Sequence, residues 1–129
     1  MEYAYVVLAG VAGYVFGAIW YGALGKRWQA EVGLSPEDVK PASNVSAYLV
    51  ALLGNLLVAG MMRHIFVTSG VDGTLNAAVS GLGLGLFIAG SYLMLNYAFA
   101  KRSTVLSLID IGHAAGSATV IAVVLDALT

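Results

Sequence analysis

The chain has 129 residues, of which 60% are hydrophobic and only 10% charged, with a mean hydropathy of +0.87 and a formal net charge of -1. A soluble domain carries about 25% charged residues, so a chain this apolar could not cover its surface in water. Near-neutral charge without a basic tail argues against a nucleic-acid partner, and the lack of cysteine excludes disulfides and thiolate ligands.

A helix needs about 20 mostly apolar residues to cross a hydrocarbon core about 30 Å thick. Four segments qualify. Helices are the only form open to them, because four strands cannot close a barrel and lipid tolerates no open sheet edge. The first runs over Tyr3–Leu24; it has no positive n-region and outlasts the apolar core of a signal peptide, so it reads as a retained span. The charged loop Gly25–Val45 follows. Within it Ser35-Pro36-Glu37-Asp38 predicts a short helix near 36–40, with Ser35 as N-cap, Pro36 at the first position, acids in the first turn and Pro41 ending it. The second span is Ser46–Phe66, Val67–Leu75 is a turn, the third span is Asn76–Phe99, and the tight Ala100–Thr104 connection leads to the fourth, Val105–Leu128. The expectation is an all-α polytopic membrane protein: one membrane domain, a four-transmembrane-helix bundle with short loops.

Lys26, Arg27, Lys40, Lys101 and Arg102 fall on one side of these spans and Arg63 on the other. Basic residues concentrate in cytoplasmic loops, which predicts both charged loops in the cytoplasm and both termini outside. Trp20, Tyr21, Trp28 and Tyr97 stand near those charges, as an interfacial aromatic belt would. The stretch from Trp20 to Arg27 resembles that from Asn96 to Arg102. A duplicated hairpin would produce this likeness; so would two inward-running spans with the same kind of anchor.

Helices in lipid associate through close packing of small residues and through polar contacts. Rows of small residues four apart predict tight crossings, with Gly13 and Gly17 in the first span, Gly81 and Gly85 in the third, and Gly112 and Gly116 in the fourth. Polar groups inside the membrane are costly unless paired, and so they are informative. Asp110 and His113, three apart, share a helix face, which Ser103, Ser107 and Ser117 extend into a polar stripe about 21 Å long. The small-residue row of the third span continues into Tyr92 and Asn96. One candidate polar cavity therefore gathers Tyr21, Tyr92, Asn96, Asp110 and His113 at the basic end, while Asn55 stands apart near mid-membrane. Such a cavity could handle protons or bind a substrate; equally, the group could be an internally satisfied network with Asp110 accepting from His113, Asn96 or Tyr97. Asn55, Ser107 and Ser117 read as structural polar residues. Asp110, His113 and the distant His64 do not make a metal ligand set, and no cofactor motif or nucleophile–base pair is visible.

Ile19-Trp20-Tyr21-Gly22-Ala23-Leu24-Gly25-Lys26-Arg27-Trp28, Asn96-Tyr97-Ala98-Phe99 before a basic turn, and Ile109-Asp110-Ile111-Gly112-His113 resemble the domain-of-unknown-function 1761 family. The resemblance covers essentially the whole chain, Gly33-Leu34-Ser35-Pro36-Glu37-Asp38 included. It implies a small prokaryotic membrane protein with four spans, and no activity. The family often has a proline at the position of Ala23, and often a second Asn or a Tyr at the positions of Leu95 and His113.

The intramembrane Asp/His stripe among glycine-rich helices suggests a small transporter or channel of the prokaryotic cytoplasmic membrane, with the lipid bilayer as its surroundings. Four short helices enclose little volume, which favours a homo-oligomer. The alternative is a non-catalytic accessory or scaffold subunit of a larger membrane complex. An enzyme acting on a lipid or quinone is the least favoured reading.

Overall fold

The computed structural model describes residues 2–129, with side chains from Tyr3 onward. Four helices are long and apolar enough to cross a membrane: α1 (Glu2–Val32), α2 (Val45–Ser69), α3 (Thr74–Phe99) and α4 (Thr104–Leu128). No strand occurs among the described residues.

The first helix runs well past the end expected at Leu24. Falling hydropathy marks where a chain leaves the apolar layer, and a helix need not stop there. Gly25, Lys26 and Arg27 stay helical, and Arg27 pairs with Glu31 one turn on, at 3.2 Å. The stop is Gly33, which takes a left-handed φ of 85° while its N–H bonds to the Gln29 carbonyl at 2.8 Å. At 1.5 Å per residue, α1 is about 46 Å long, so its last turns extend beyond a hydrocarbon core.

The short helix expected near 36–40 does not form. Ser35 Oγ accepts from the Asp38 N–H at 3.3 Å, and Asp38 Oδ2 accepts from the Ser35 N–H and hydroxyl, both at 2.9 Å. This is the reciprocal chemistry of a helix start, but residues 36–39 only turn. Pro41 does not end a helix; it opens a single 3-10 turn, Pro41–Ser43.

The third span is not uniform. It is α-helical over Thr74–Gly83, widens to a π-helix over Leu84–Ala89, and is α-helical again over Gly90–Phe99. Its start is held by the far end of α4, where Asp126 accepts from the Gly73 N–H at 3.0 Å and the Thr74 hydroxyl at 3.2 Å. A carboxylate there satisfies an orphan donor and complements the positive end of the helix.

The packing is uneven. α4 is the central helix, flanked by α1 and α3, whereas α2 lies mainly on α1 and touches α4 less. At the end opposite the basic loops, Ala9, Ala59, Met62, Phe66, Ile121 and Leu125 form an apolar core. Large apolar residues such as Leu57, Phe87 and Phe99 face outward, as lipid-facing positions do. Backbones approach closely at the glycines: a Cβ added to Gly81 would lie 2.5 Å from Ala122 Cβ, and one added to Gly85 2.5 Å from the Ala114 carbonyl oxygen. In lipid, contact at this range is what holds helices together.

Candidate functional site

Asp110 sits in the second turn of α4 with 7% of its surface exposed. Three aromatic donors converge on its carboxylate. Oδ1 accepts from the Tyr21 hydroxyl and from the Trp28 indole N–H at 3.1 Å, and Oδ2 accepts from the Tyr97 hydroxyl at 2.7 Å. Beside it the Trp20 indole N–H donates to the Ile109 carbonyl at 3.0 Å. Tyr21, Trp20 and Trp28 come from α1 and Tyr97 from α3, so one carboxylate ties three helices together. Each hydrogen bond to a charged group contributes about 1.5–3 kcal/mol, which offsets a desolvation cost of several kcal/mol. The ion pairs Arg27–Glu31 and Lys40–Glu37 lie elsewhere, and among the described residues no cationic side chain pairs with Asp110.

Glycines on both facing helices make this site possible. The Trp20 ring covers Gly112, where a Cβ would come within 2.7 Å, and the Phe16 ring covers Gly116. In return Gly17 admits His113, whose Nε2 would lie 2.8 Å from an added Cβ. His113 joins the cluster through ring contacts: its centroid is 4.9 Å from that of Tyr21 and 6.3 Å from that of Phe16. Tyr21 in turn meets Trp28 edge-on at 5.8 Å. His113 is not among the hydrogen-bond donors to Asp110.

Of the five residues expected to share a cavity, the structure brings together Tyr21, Asp110 and His113. Tyr92 is 64% exposed and Asn96 is exposed as well, both outside the cluster. The π-helical segment is the reason. A straight α-helix returns to the same face after about eleven residues, which would set Asn96 in line with Gly85. The wide turn inserts one residue, and every later position on the α4 face moves along by one. Ala89 is accordingly exposed while Gly90 is buried, and a Cβ on Gly90 would meet Ile111 at 3.0 Å. Tyr97 thereby takes the place that a regular helix gives to Asn96.

The polar stripe on α4 also divides. Ser107 bonds back to the Ser103 carbonyl at 3.3 Å, and Ser103 caps the helix by accepting from the Leu106 N–H at 3.1 Å. Ser117 belongs to a separate mid-membrane tie. Its hydroxyl lies 3.0 Å from Asn55 Oδ1 and 3.4 Å from the Gly13 carbonyl, while Asn55 donates to the Ala51 carbonyl at 2.8 Å. One small network thus joins α1, α2 and α4.

Outside the spans, the two Ser35 donors hold the Asp38 carboxyl below its ordinary range. No group of three His, Cys, Asp or Glu among the described residues is placed to hold a metal ion.

A family model described as "Protein of unknown function (DUF1761)" matches residues 4–126. No curated protein and no solved structure matches the chain.

Proposed function

The chain belongs to the DUF1761 family and has four helices long and apolar enough to cross a bilayer, and from its buried carboxylate we propose that it is a small transporter whose ion-binding group is Asp110. It resides in the prokaryotic cytoplasmic membrane with its basic loops inside and both termini outside. The observation that carries this reading is a buried carboxylate, among membrane-spanning helices, with hydroxyl and indole partners and, among the described residues, no counter-ion. A charge at such depth is costly, and such charges mark ion and substrate paths.

The arrangement is a closed one, since glycine contacts seal the α1–α4 and α3–α4 crossings. The element suited to open it is α3, which packs chiefly on α4 and contains the π-helical turns just before the half that carries Tyr97. Movement of that half withdraws the Tyr97 hydroxyl and uncovers Oδ2. Flux into proteoliposomes tests the reading: the wild-type protein carries an organic or inorganic cation down an imposed gradient, and Asp110→Asn, still monodisperse, does not. Unchanged flux in that variant, or none from the wild type, removes it.

One observation favours a second reading, a non-catalytic accessory subunit of a larger membrane complex. The Asp110 and Asn55–Ser117 networks both draw their partners from within the chain, as groups that serve only to fix helices would. On that reading the protein alone carries no flux, and Asp110→Asn lowers stability without any transport phenotype.

A further inference from the structure

We infer that the Asp110 site takes a monovalent organic cation, a quaternary ammonium or comparable onium group, held between the carboxylate and the surrounding aromatic rings. This rests on the reading of Asp110 as an ion-binding group and names the class of ion. The argument begins with valence. A carboxylate offers about four lone-pair positions; two donors occupy Oδ1 and one occupies Oδ2. Oδ2 retains an acceptor position, and among the described residues no cationic side chain pairs with the carboxylate.

The surroundings choose among cations. Calcium takes six to eight oxygen ligands and magnesium six, whereas the groups around Asp110 are phenol, indole and imidazole rings with no second carboxylate. No cluster of three acidic or histidine residues occurs among the described residues. Organic cations need the opposite environment, one opposite charge and several aromatic rings. The Tyr21, Trp28 and Tyr97 rings stand within hydrogen-bonding reach of the carboxylate, and Trp20 and His113 flank them. The site lies near the basic end of the bundle, one residue from Arg27 on α1. A cation carrying apolar substituents can reach it from the interfacial layer, where such amphiphiles collect. Tyr97 is the latch: its hydroxyl occupies the oxygen that the cation needs, from the helix that packs chiefly on one neighbour.

The chain contains two tryptophans, Trp20 and Trp28, and both lie in this site. Intrinsic fluorescence therefore reports on it directly. The experiment titrates the full-length protein in mild detergent with tetraphenylphosphonium, and in parallel with tetraphenylborate, its anionic isostere. The expected result is a saturable change with the phosphonium alone, weakened at least tenfold in Asp110→Asn. Tyr97→Phe keeps the charge and removes the competing hydroxyl, so it binds the phosphonium a fewfold more tightly. Equal responses to the two probes, or equal affinity in Asp110→Asn, overturn the assignment. Should Asp110→Asn fail to fold, loss of saturable binding in a folded Tyr97→Phe protein overturns it as well. Binding without flux leaves the cation site standing and removes transport; flux of another ion without binding does the reverse.

Discussion

Trp28 and Asp110 are 82 positions apart and joined by an indole N–H bond of 3.1 Å. The bond exists because α1 keeps its helical form for two further turns after its apolar stretch ends, so that a residue beyond the basic pair Lys26-Arg27 still faces α4. With Tyr21 and Tyr97 it makes Asp110 the point at which three helices are fixed.

Removing that point costs stability. Asp110→Ala leaves two phenols and an indole without their acceptor, and each unsatisfied buried donor costs about 1–3 kcal/mol. Thermal unfolding in detergent should shift well below the wild type. Tyr97→Phe, which removes one donor and leaves the carboxylate two others, should shift it less.

The glycines differ in what they tolerate. Gly85→Ala places a Cβ 2.5 Å from a backbone carbonyl and 2.8 Å from Ala115 Cα. Overpacking of this kind costs about 1–3 kcal/mol. Gly83→Ala meets nothing within 4 Å, and a helical glycine with open space beside it gains up to about 1 kcal/mol on such a change. Opposite shifts in unfolding temperature for two glycines only two residues apart are the expected outcome.

The π-helical turns set the register of the second half of α3. The chain has no cysteine, so single-cysteine variants report accessibility cleanly. Asn96→Cys should react with a maleimide several-fold faster than Tyr97→Cys. Deleting one residue within 86–89 removes the extra residue and leaves Tyr97 eleven positions after Gly85, so a regular helix should keep that order.

Orientation is tested in the same way. With the basic loops inside, Ser69→Cys reacts with an impermeant maleimide from outside intact cells, and Ala100→Cys reacts only after lysis. The opposite pattern would invert the topology.

The Ser35–Asp38 turn should respond to acid. The folded Asp38 pKa is depressed by its two Ser35 donors, so its stabilising contribution is complete above the unfolded value of about 3.9. It is lost as pH falls through the lower folded value. The Ser35 amide resonance should hold steady from neutral pH to about 4 and move only below it. A midpoint at or above the unfolded value would contradict the sign.

The four spans and their small-residue rows are legible in the sequence because apolar length and spacing are local properties. The partners of Asp110 were harder to read. Asn96 and Tyr97 both fall near the level of Asp110 by sequence, but a regular 3.6-residue period throughout α3 favours Asn96, and the run Gly81-Leu82-Gly83-Leu84-Gly85 gives no sign of where a wide turn falls. Trp28 was assigned to an interfacial belt because the charges at Lys26 and Arg27 looked like the end of the helix; the left-handed Gly33 was the better signal. The Asp126 cap on α3 joins residues more than fifty apart, and no local pattern announces it. Around Ser35 the sequence carries the residues of a helix start, but without tertiary contacts to extend it the nucleus goes no further than a turn, in keeping with the cost of starting a helix.

The long separation of the polar ties bears on how the protein is made. Trp20, Tyr21 and Trp28 bond to residues 82–89 positions further along, so α1 enters the bilayer before its partners have been synthesised. The α3–α4 pair is different. It is fastened near its turn by Tyr97–Asp110 and at its open end by Asp126 against Gly73 and Thr74, and it can settle as a hairpin once the last residues emerge. The polar ties of α1 to Ile109 and Asp110 therefore form only after α4 has been made, whereas its packing on α2 does not have to wait for it.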